Sequence, residues 1–204
     1  ALSPKLMKIY WNFCKMIRIG ILGEIGSGKS YVANNFGFPV FNADKEVAKI
    51  YSKNKKIFLK LNKILPKYIH SFPINKDEII NAILSNKNNL KKIIDVVHKE
   101  IKKKLRIFLT KNKNKKIVIF DIPLLLENNL YKKKDILIFI DSKKKDIEKR
   151  LKKRKGFNPK LINKFQNIQF SVEYKKKKSH FIIKNNFKKK SVKVSIEKIL
   201  NKIL

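Results

Sequence analysis

The sequence predicts an α/β sandwich: a five-stranded parallel sheet with helices packed on both faces. Three observations lead there. The runs Ile117-Val118-Ile119-Phe120 and Ile136-Leu137-Ile138-Phe139-Ile140 are continuously apolar rather than alternating, the pattern of central strands covered on both sides. Short β-rich runs take turns with segments of helical period, as strand–helix–strand crossovers require. A glycine-rich segment from Gly23 to Gly28 separates the first such run from the first helical one.

The elements follow in order. Ile17-Arg18-Ile19-Gly20-Ile21-Leu22 is a strand stopped by glycine. Lys29 to Phe36 reads as a helix, and Pro39-Val40-Phe41 as a second short strand ending near Asp44. Residues from about 45 to 112 are helical in pattern, with turn signals at Pro66 and at Ser71-Phe72-Pro73. Asn75, with Glu78 three positions on, resembles an N-cap pair; Ile79, Ile80, Ile83 and Leu84 repeat behind it at helical spacing. The third strand ends at Asp121 and the fourth at Asp141. Ser142 is placed to cap a helix reaching about Lys153, which Gly156 breaks. Asn158-Pro159 opens another helix, since proline is tolerated in a first turn. Phe181-Ile182-Ile183 is the fifth strand, and residues 191–203 form a last helix. The lysine runs 111–116, 175–178 and 188–190 read as solvated loops and helix faces.

The chain has 204 residues, of which 43% are hydrophobic, enough for the core of one domain. Six glycines and six prolines exclude collagen-like and Pro/Gly-rich disordered chains. The one cysteine, Cys14, excludes a disulfide scaffold and fits a reducing compartment, so a cytoplasmic location is expected. No apolar run approaches the roughly 18 residues of a membrane span, so no membrane partner is expected. Bases outnumber acids 51 to 15, a net charge of +36, which invites a nucleic-acid reading. Arginine, however, occurs only at Arg18, Arg106, Arg150 and Arg154, and the other 47 bases are lysines. Lys, Ile and Asn rising together is the mark of AT-biased coding, so no nucleic-acid partner is expected. An arginine kept in such a chain stands out, because bidentate phosphate recognition is what lysine does less well.

Gly23-Glu24-Ile25-Gly26-Ser27-Gly28-Lys29-Ser30 fits G-x-x-x-x-G-K-[ST], the P-loop pattern. Its backbone N–H groups can wrap phosphate oxygens, and the following helix adds a positive end. Lys29 would reach the β- and γ-phosphates, and the Ser30 hydroxyl would bind Mg²⁺. Asp44 lies past the second strand, where parallel-sheet enzymes gather catalytic groups. It could accept the proton of an attacking hydroxyl, cap the next helix, or do both. Asp121, after four apolar residues, could hold Mg²⁺ through water or act as a strand-end cap. Arg150 and Arg154 fall one helical turn apart, on one face, beside Gly156. That placement suits a lid that brings guanidinium groups onto phosphates; ordinary surface charge is the other reading.

Further segments, in this order, resemble the dephospho-CoA kinase family. The family's G-G-I-G-S-G-K-S is matched by 23–30, its V-I-D-A-D by Val40-Phe41-Asn42-Ala43-Asp44, and its L-x-x-I-x-H-P by the segment through His98-Lys99. Its P-L-L-[FLV]-E is present as Pro123-Leu124-Leu125-Leu126-Glu127. The spacing from Asp141 to Arg150 and Arg154, Gln169, and the Asn185-Asn186 close of the fifth strand are similar too. The resemblance spans about Ile17 to Phe187. It implies transfer of the ATP γ-phosphate to the ribose 3′-hydroxyl of dephospho-CoA, with Mg²⁺, in a monomer or weak oligomer. It also implies a P-loop three-layer sandwich whose core is 16–60 and 112–204, a helical acceptor-binding subdomain at about 60–112, and a lid at about 155–178.

By the same resemblance, Glu24, Ile25, Gly26, Ser27, Gly28, Lys29, Ser30, Arg150 and Asn185 meet ATP. Asp44, His98, Pro123, Leu124 and Glu127 meet the acceptor, and a structural role for the lone His98 stands beside that. Asp44, Lys29, Arg150 and Arg154 carry the catalysis, and Ser30 and Asp121 the metal. Four positions depart from the family pattern. Glu24 replaces a glycine, Asn42 an aspartate, Lys99 a proline, and Phe165 stands where the lid often has arginine, with Lys164 beside it as a compensating charge. Another small-molecule or nucleotide kinase of this fold, or a basic nucleic-acid-binding P-loop protein, is the alternative reading. Residues 1–15 read as an upstream extension before a working start at Met16, or as a short ordered arm.

Overall fold

The computed structural model describes residues 16–154 and 156–204. Residues 1–15, with Cys14 and the expected extension, lie outside the described residues. Five strands form one parallel sheet: β1 (Ile17–Gly23), β2 (Val40–Asn42), β3 (Ile117–Asp121), β4 (Ile136–Asp141) and β5 (Phe181–Lys184), in the order β2-β3-β1-β4-β5. The helices are α1 (Lys29–Asn35), α2 (Ala43–Lys53), α3 (Lys55–Ile64), α4 (Lys76–Ser85), α5 (Lys87–Lys111), α6 (Lys144–Lys152), α7 (Pro159–Gln166), α8 (Val172–Lys178) and α9 (Lys189–Ile203). The first strand sits mid-sheet, with the chain leaving to one side and later returning to the other. The sheet order therefore reverses beside the carboxyl end of β1, where α/β proteins bind ligands.

Strand alternation divides the interior into two cores. Ile19, Ile21, Ile117, Ile119, Ile138 and Ile140 face one way, against Val32, Ala33 and Phe36 of the first helical layer and Val192, Ile196 and Ile199 of α9. Leu22, Val118, Phe120, Leu137 and Phe139 face the other way, against the helices between β2 and β3. Phe120 and Phe139 are fully buried, each contributing about 1.5–3 kcal/mol of transfer free energy. Gly20 makes room for close packing here. A Cβ on it would lie 2.5 Å from Leu125 Cδ2, so the segment after β3 packs directly on the β1 backbone.

Several local expectations are corrected. The helices between β2 and β3 start at Ala43, matching the helical pattern from about residue 45, but their capping differs from that expected. The cap of α2 is Asn42, whose side chain accepts from Lys45 N–H, and Asp44 sits in the first turn. Asn75 caps α4 through Asp77 N–H, but Glu78 does not complete a reciprocal box. It turns back to accept from Ser71 N–H and lies 3.2 Å from His70 Nε2. As the replacement of proline by Lys99 predicts, α5 runs unbroken through 25 residues. Arg18 is committed to Asp135 at 2.7 Å, with Phe120 beneath its guanidinium, so one retained arginine is structural. Among the described residues, no helix is long and apolar enough to cross a membrane.

Candidate active site

The phosphate loop joins β1 to α1 as its sequence requires. Gly28 occupies the N-cap position at φ +90°, and a Cβ there would lie 2.5 Å from Asn185 Nδ2. Glu24 is not among the residues of positive φ, so a side chain replaces the family glycine without backbone strain. The loop is braced from two directions at a single atom. The Ser27 carbonyl accepts from Asn185 Nδ2 at 2.8 Å and from Ser142 Oγ at 2.9 Å. Ser142 thus braces the loop instead of capping α6, whose N-cap is Lys143 without a side-chain bond. Lys29 Nζ donates to the carbonyls of Gly23 at 3.0 Å and Glu24 at 2.7 Å. Burial pushes its ammonium down to about 8; Asp121 and Asp44 oppose the shift, while Lys175 and Arg154 add to it. Ser30 lies in the first turn of α1 and is exposed.

Two carboxylates act electrostatically on this lysine, Asp121 from the carboxyl end of β3 and Asp44 from the first turn of α2. Asp121 is buried, and the Asn42 amide donates to its Oδ2. Asp44 keeps access to solvent on one side, yet the surrounding protein raises its carboxyl above the ordinary range. Asp121 adds to that rise, and Lys29 and Arg154 counter it. Lys29, Asp44, Asp121 and Arg154 therefore form one electrostatic group. Among the described residues, no cluster of three or more His, Cys, Asp or Glu could hold a metal alone. Mg²⁺ does not need such a cage: one or two protein oxygens suffice, with phosphate and water completing its shell. The repulsion that Asp44 feels from Asp121 would be relieved by a divalent cation, so the donor set fits Mg²⁺.

The two arginines part company. Helix α6 ends at Lys152, so Arg154 lies beyond it and they do not share a helical face. Arg154 acts on Lys29 and Asp44, whereas the Arg150 guanidinium rests 4.2 Å over the Phe187 ring. Phe187 packs beside Gly28 and has a left-handed backbone, φ 61°. Lys164 does not supply the missing lid arginine. Its ammonium donates to the carbonyls of Ile83 at 2.6 Å and Leu84 at 3.1 Å, the end of α4, and Phe165 packs on the core.

His98 is half-buried on α5, and its Nε2 has no partner. Burial lowers its pKa, Lys102 adding and Asp95 opposing, so its charged neighbours are those of its own helix. Pro123 and Leu124 are half-buried in the segment after β3. That segment ends at Glu127, whose Oε1 accepts from Phe170 N–H at 2.9 Å and lies 3.2 Å from Lys175 Nζ. Lys175 was hidden in a lysine run and is 2% exposed. Its place on the inner side of α8 was the one available signal, and a short polar helix does not display it. A separate cavity of about 430 Å³ is lined by Lys49, Lys53, Lys55, Lys56 and Lys104 and contains none of these site residues.

The parallel sheet, the loop on β1 and the carboxylates opposite it define a P-loop phosphotransferase. A model of the dephospho-CoA kinase family matches residues 17–191, and the chain belongs to that family. The dephospho-CoA kinase of Wolbachia pipientis is 32% identical over 190 residues, covering 91% of this chain and 97% of its own. That of Fusobacterium nucleatum is 32% identical over 178 residues, covering 82% and 89%. The solved dephospho-CoA kinase from Campylobacter jejuni is 25% identical and superposes with a TM-score of 0.59 over 91% of this chain and 96% of its own. TT1252 from Thermus thermophilus shares the fold at a TM-score of 0.75 and 24% identity, covering 93% and 98%.

Proposed function

We propose that the chain transfers the γ-phosphoryl group of ATP to the ribose 3′-hydroxyl of dephospho-CoA, giving ADP and CoA, the last step of coenzyme A synthesis. The observation that carries this reading is the grouping of Lys29, Asp44 and Asp121 at the sheet's carboxyl edge, in a chain of this family. Lys29 neutralises the phosphates that the 23–30 loop cradles. Asp44 takes the proton of the 3′-hydroxyl as its oxygen bonds to phosphorus, and the bond to the ADP oxygen breaks. Its raised affinity for a proton suits that role. Arg154 offsets charge on the transferred oxygens. Ser30 and Asp121 would hold Mg²⁺, which would neutralise phosphate charge.

Arg150, Phe187 and Asn185 stand on the ATP side of the loop. The helical segment of about 60–112, with His98, and Pro123, Leu124 and Glu127 form the acceptor side. The lid falls at about 155–178, and the protein works in the cytoplasm as a monomer or weak oligomer. A coupled assay of ADP release tests the reading. Dephospho-CoA should stimulate release, whereas shikimate and nucleoside monophosphates should not. Stimulation by one of those acceptors, with none by dephospho-CoA, would overturn it.

A further inference from the structure

A buried lysine needs a reason. Moving an ammonium out of water costs several kcal/mol unless an anion and further acceptors meet it. Lys175 is 2% exposed, and its Nζ donates to Gln169 Oε1 at 2.7 Å and lies 3.2 Å from Glu127 Oε1. Its neighbours on α8 do something else. Lys176 pairs with Asp141 at 3.1 Å near the sheet, and Lys178 lies 5.6 Å from the Tyr174 ring. The run is therefore not uniform surface charge, and one member is turned inward.

Three groups come together through that ammonium. Gln169 belongs to the turn before α8, Phe170 N–H of the same turn donates to Glu127, and Glu127 closes the segment after β3. Both contacts to Glu127 fall on Oε1, so Oε2 takes neither. The side chain is 9% exposed. A glutamate so held has its rotamer fixed at one oxygen. We propose that Lys175 is a positioning residue for the acceptor: it locks Glu127 through Oε1 so that Oε2 is presented to a hydroxyl of the acceptor ribose. This rests on the kinase reading above, in which Glu127 stands on the acceptor side.

The test is steady-state kinetics with ATP and dephospho-CoA varied separately, on the wild type, Lys175→Met and the double variant Lys175→Met with Glu127→Gln. Methionine keeps the length and removes the charge. Lys175→Met should raise KM for dephospho-CoA ten-fold or more while KM for ATP stays within two-fold. The double variant removes both buried charges and should melt near the wild-type temperature, which keeps the test readable if the single variant folds poorly. Its KM for dephospho-CoA should remain high. A wild-type acceptor KM in the double variant, or equal rises in both KM values, would overturn the positioning role and leave a structural ion pair. Absence of dephospho-CoA-dependent ADP release in the wild type would instead overturn the kinase reading on which the proposal rests.

Discussion

Asn42 donates its amide to Asp121 Oδ2 across the β2–β3 register, where the two residues are direct partners. The other end of the same amide accepts from Lys45 N–H at 2.8 Å and caps α2, whose first turn carries Asp44. One side chain thus fixes both carboxylates of the site. The family's aspartate at this position has become a donor, so no third carboxylate faces Asp121.

Asn42→Asp keeps the capping oxygen and removes the donor, so it isolates the Asp121 contact. A hydrogen bond to a charged group is worth about 1.5–3 kcal/mol. Turnover should fall by about ten-fold or more. The melting temperature should drop by roughly 2–4 °C per kcal/mol at pH 8 and recover toward pH 5, where the facing carboxylates can share a proton. Asn42→Ala loses the cap as well, about 1 kcal/mol further at both pH values. Kinetics and melting curves that match the wild type at both pH values would refute this account.

Asp44→Asn should abolish most turnover without loss of stability. The Asp44 carboxyl is held above its ordinary value of 3.8 by burial and by Asp121, so its ionised form disfavours the fold at neutral pH. A neutral amide removes that cost, and the melting temperature at pH 7 should stay level or rise. For the wild type, kcat should fall on the acid side at a pH above that of an ordinary aspartate. A variant that keeps most of its turnover would take the base role from Asp44.

Lys29 gives the alkaline limb. Its ammonium in the free protein titrates at about 8, below the ordinary 10.5. Charge is needed to meet phosphate, so kcat/KM for ATP should fall about ten-fold per pH unit above about 8. Bound polyphosphate restores the charge, so kcat should stay level to higher pH. The stability sign is opposite: the unfolded chain binds this proton more tightly, so the group's contribution to stability rises from about pH 8 to 10.5. Matching alkaline limbs for kcat and kcat/KM would contradict this.

The arginines should separate by kinetic parameter. Arg154→Lys keeps charge near Lys29 and Asp44 but loses the planar donor, and kcat should fall about ten-fold. Arg150→Ala removes the guanidinium from Phe187 beside the loop. KM for ATP should rise about three- to thirty-fold, the scale of a cation–π contact of about 0.5–2 kcal/mol, with kcat nearly unchanged. Identical patterns in the two variants would return them to a single shared role.

Lys164 ties α7 to the end of α4. Lys164→Met should speed amide hydrogen exchange over the segment 83–89 and lower stability by about 1 kcal/mol. Unchanged exchange there would show that α7 stays docked by Leu161 and Phe165 alone.

The sequence by itself determined the sheet and the phosphate loop. Continuous apolar runs place β3 and β4 correctly, because a strand buried on both faces has to be apolar at every position. The glycines of 23–28 place the loop, because its left-handed turns admit little else. These are local constraints, written within a few residues of the chain. Only the tertiary structure decided what the polar side chains do. Ser142 and Asn185 stand 115 and 158 residues from Ser27 and meet at its carbonyl. Lys175 resembles its neighbours in sequence, yet it alone in the 175–178 run is buried, against a carboxylate that β3 delivers from 48 residues earlier. Arg150 and Arg154 look equivalent until the end of α6 turns them to different partners. Periodicity records which face is apolar, whereas the partner of a polar group is set by which distant segment the packed sheet brings beside it.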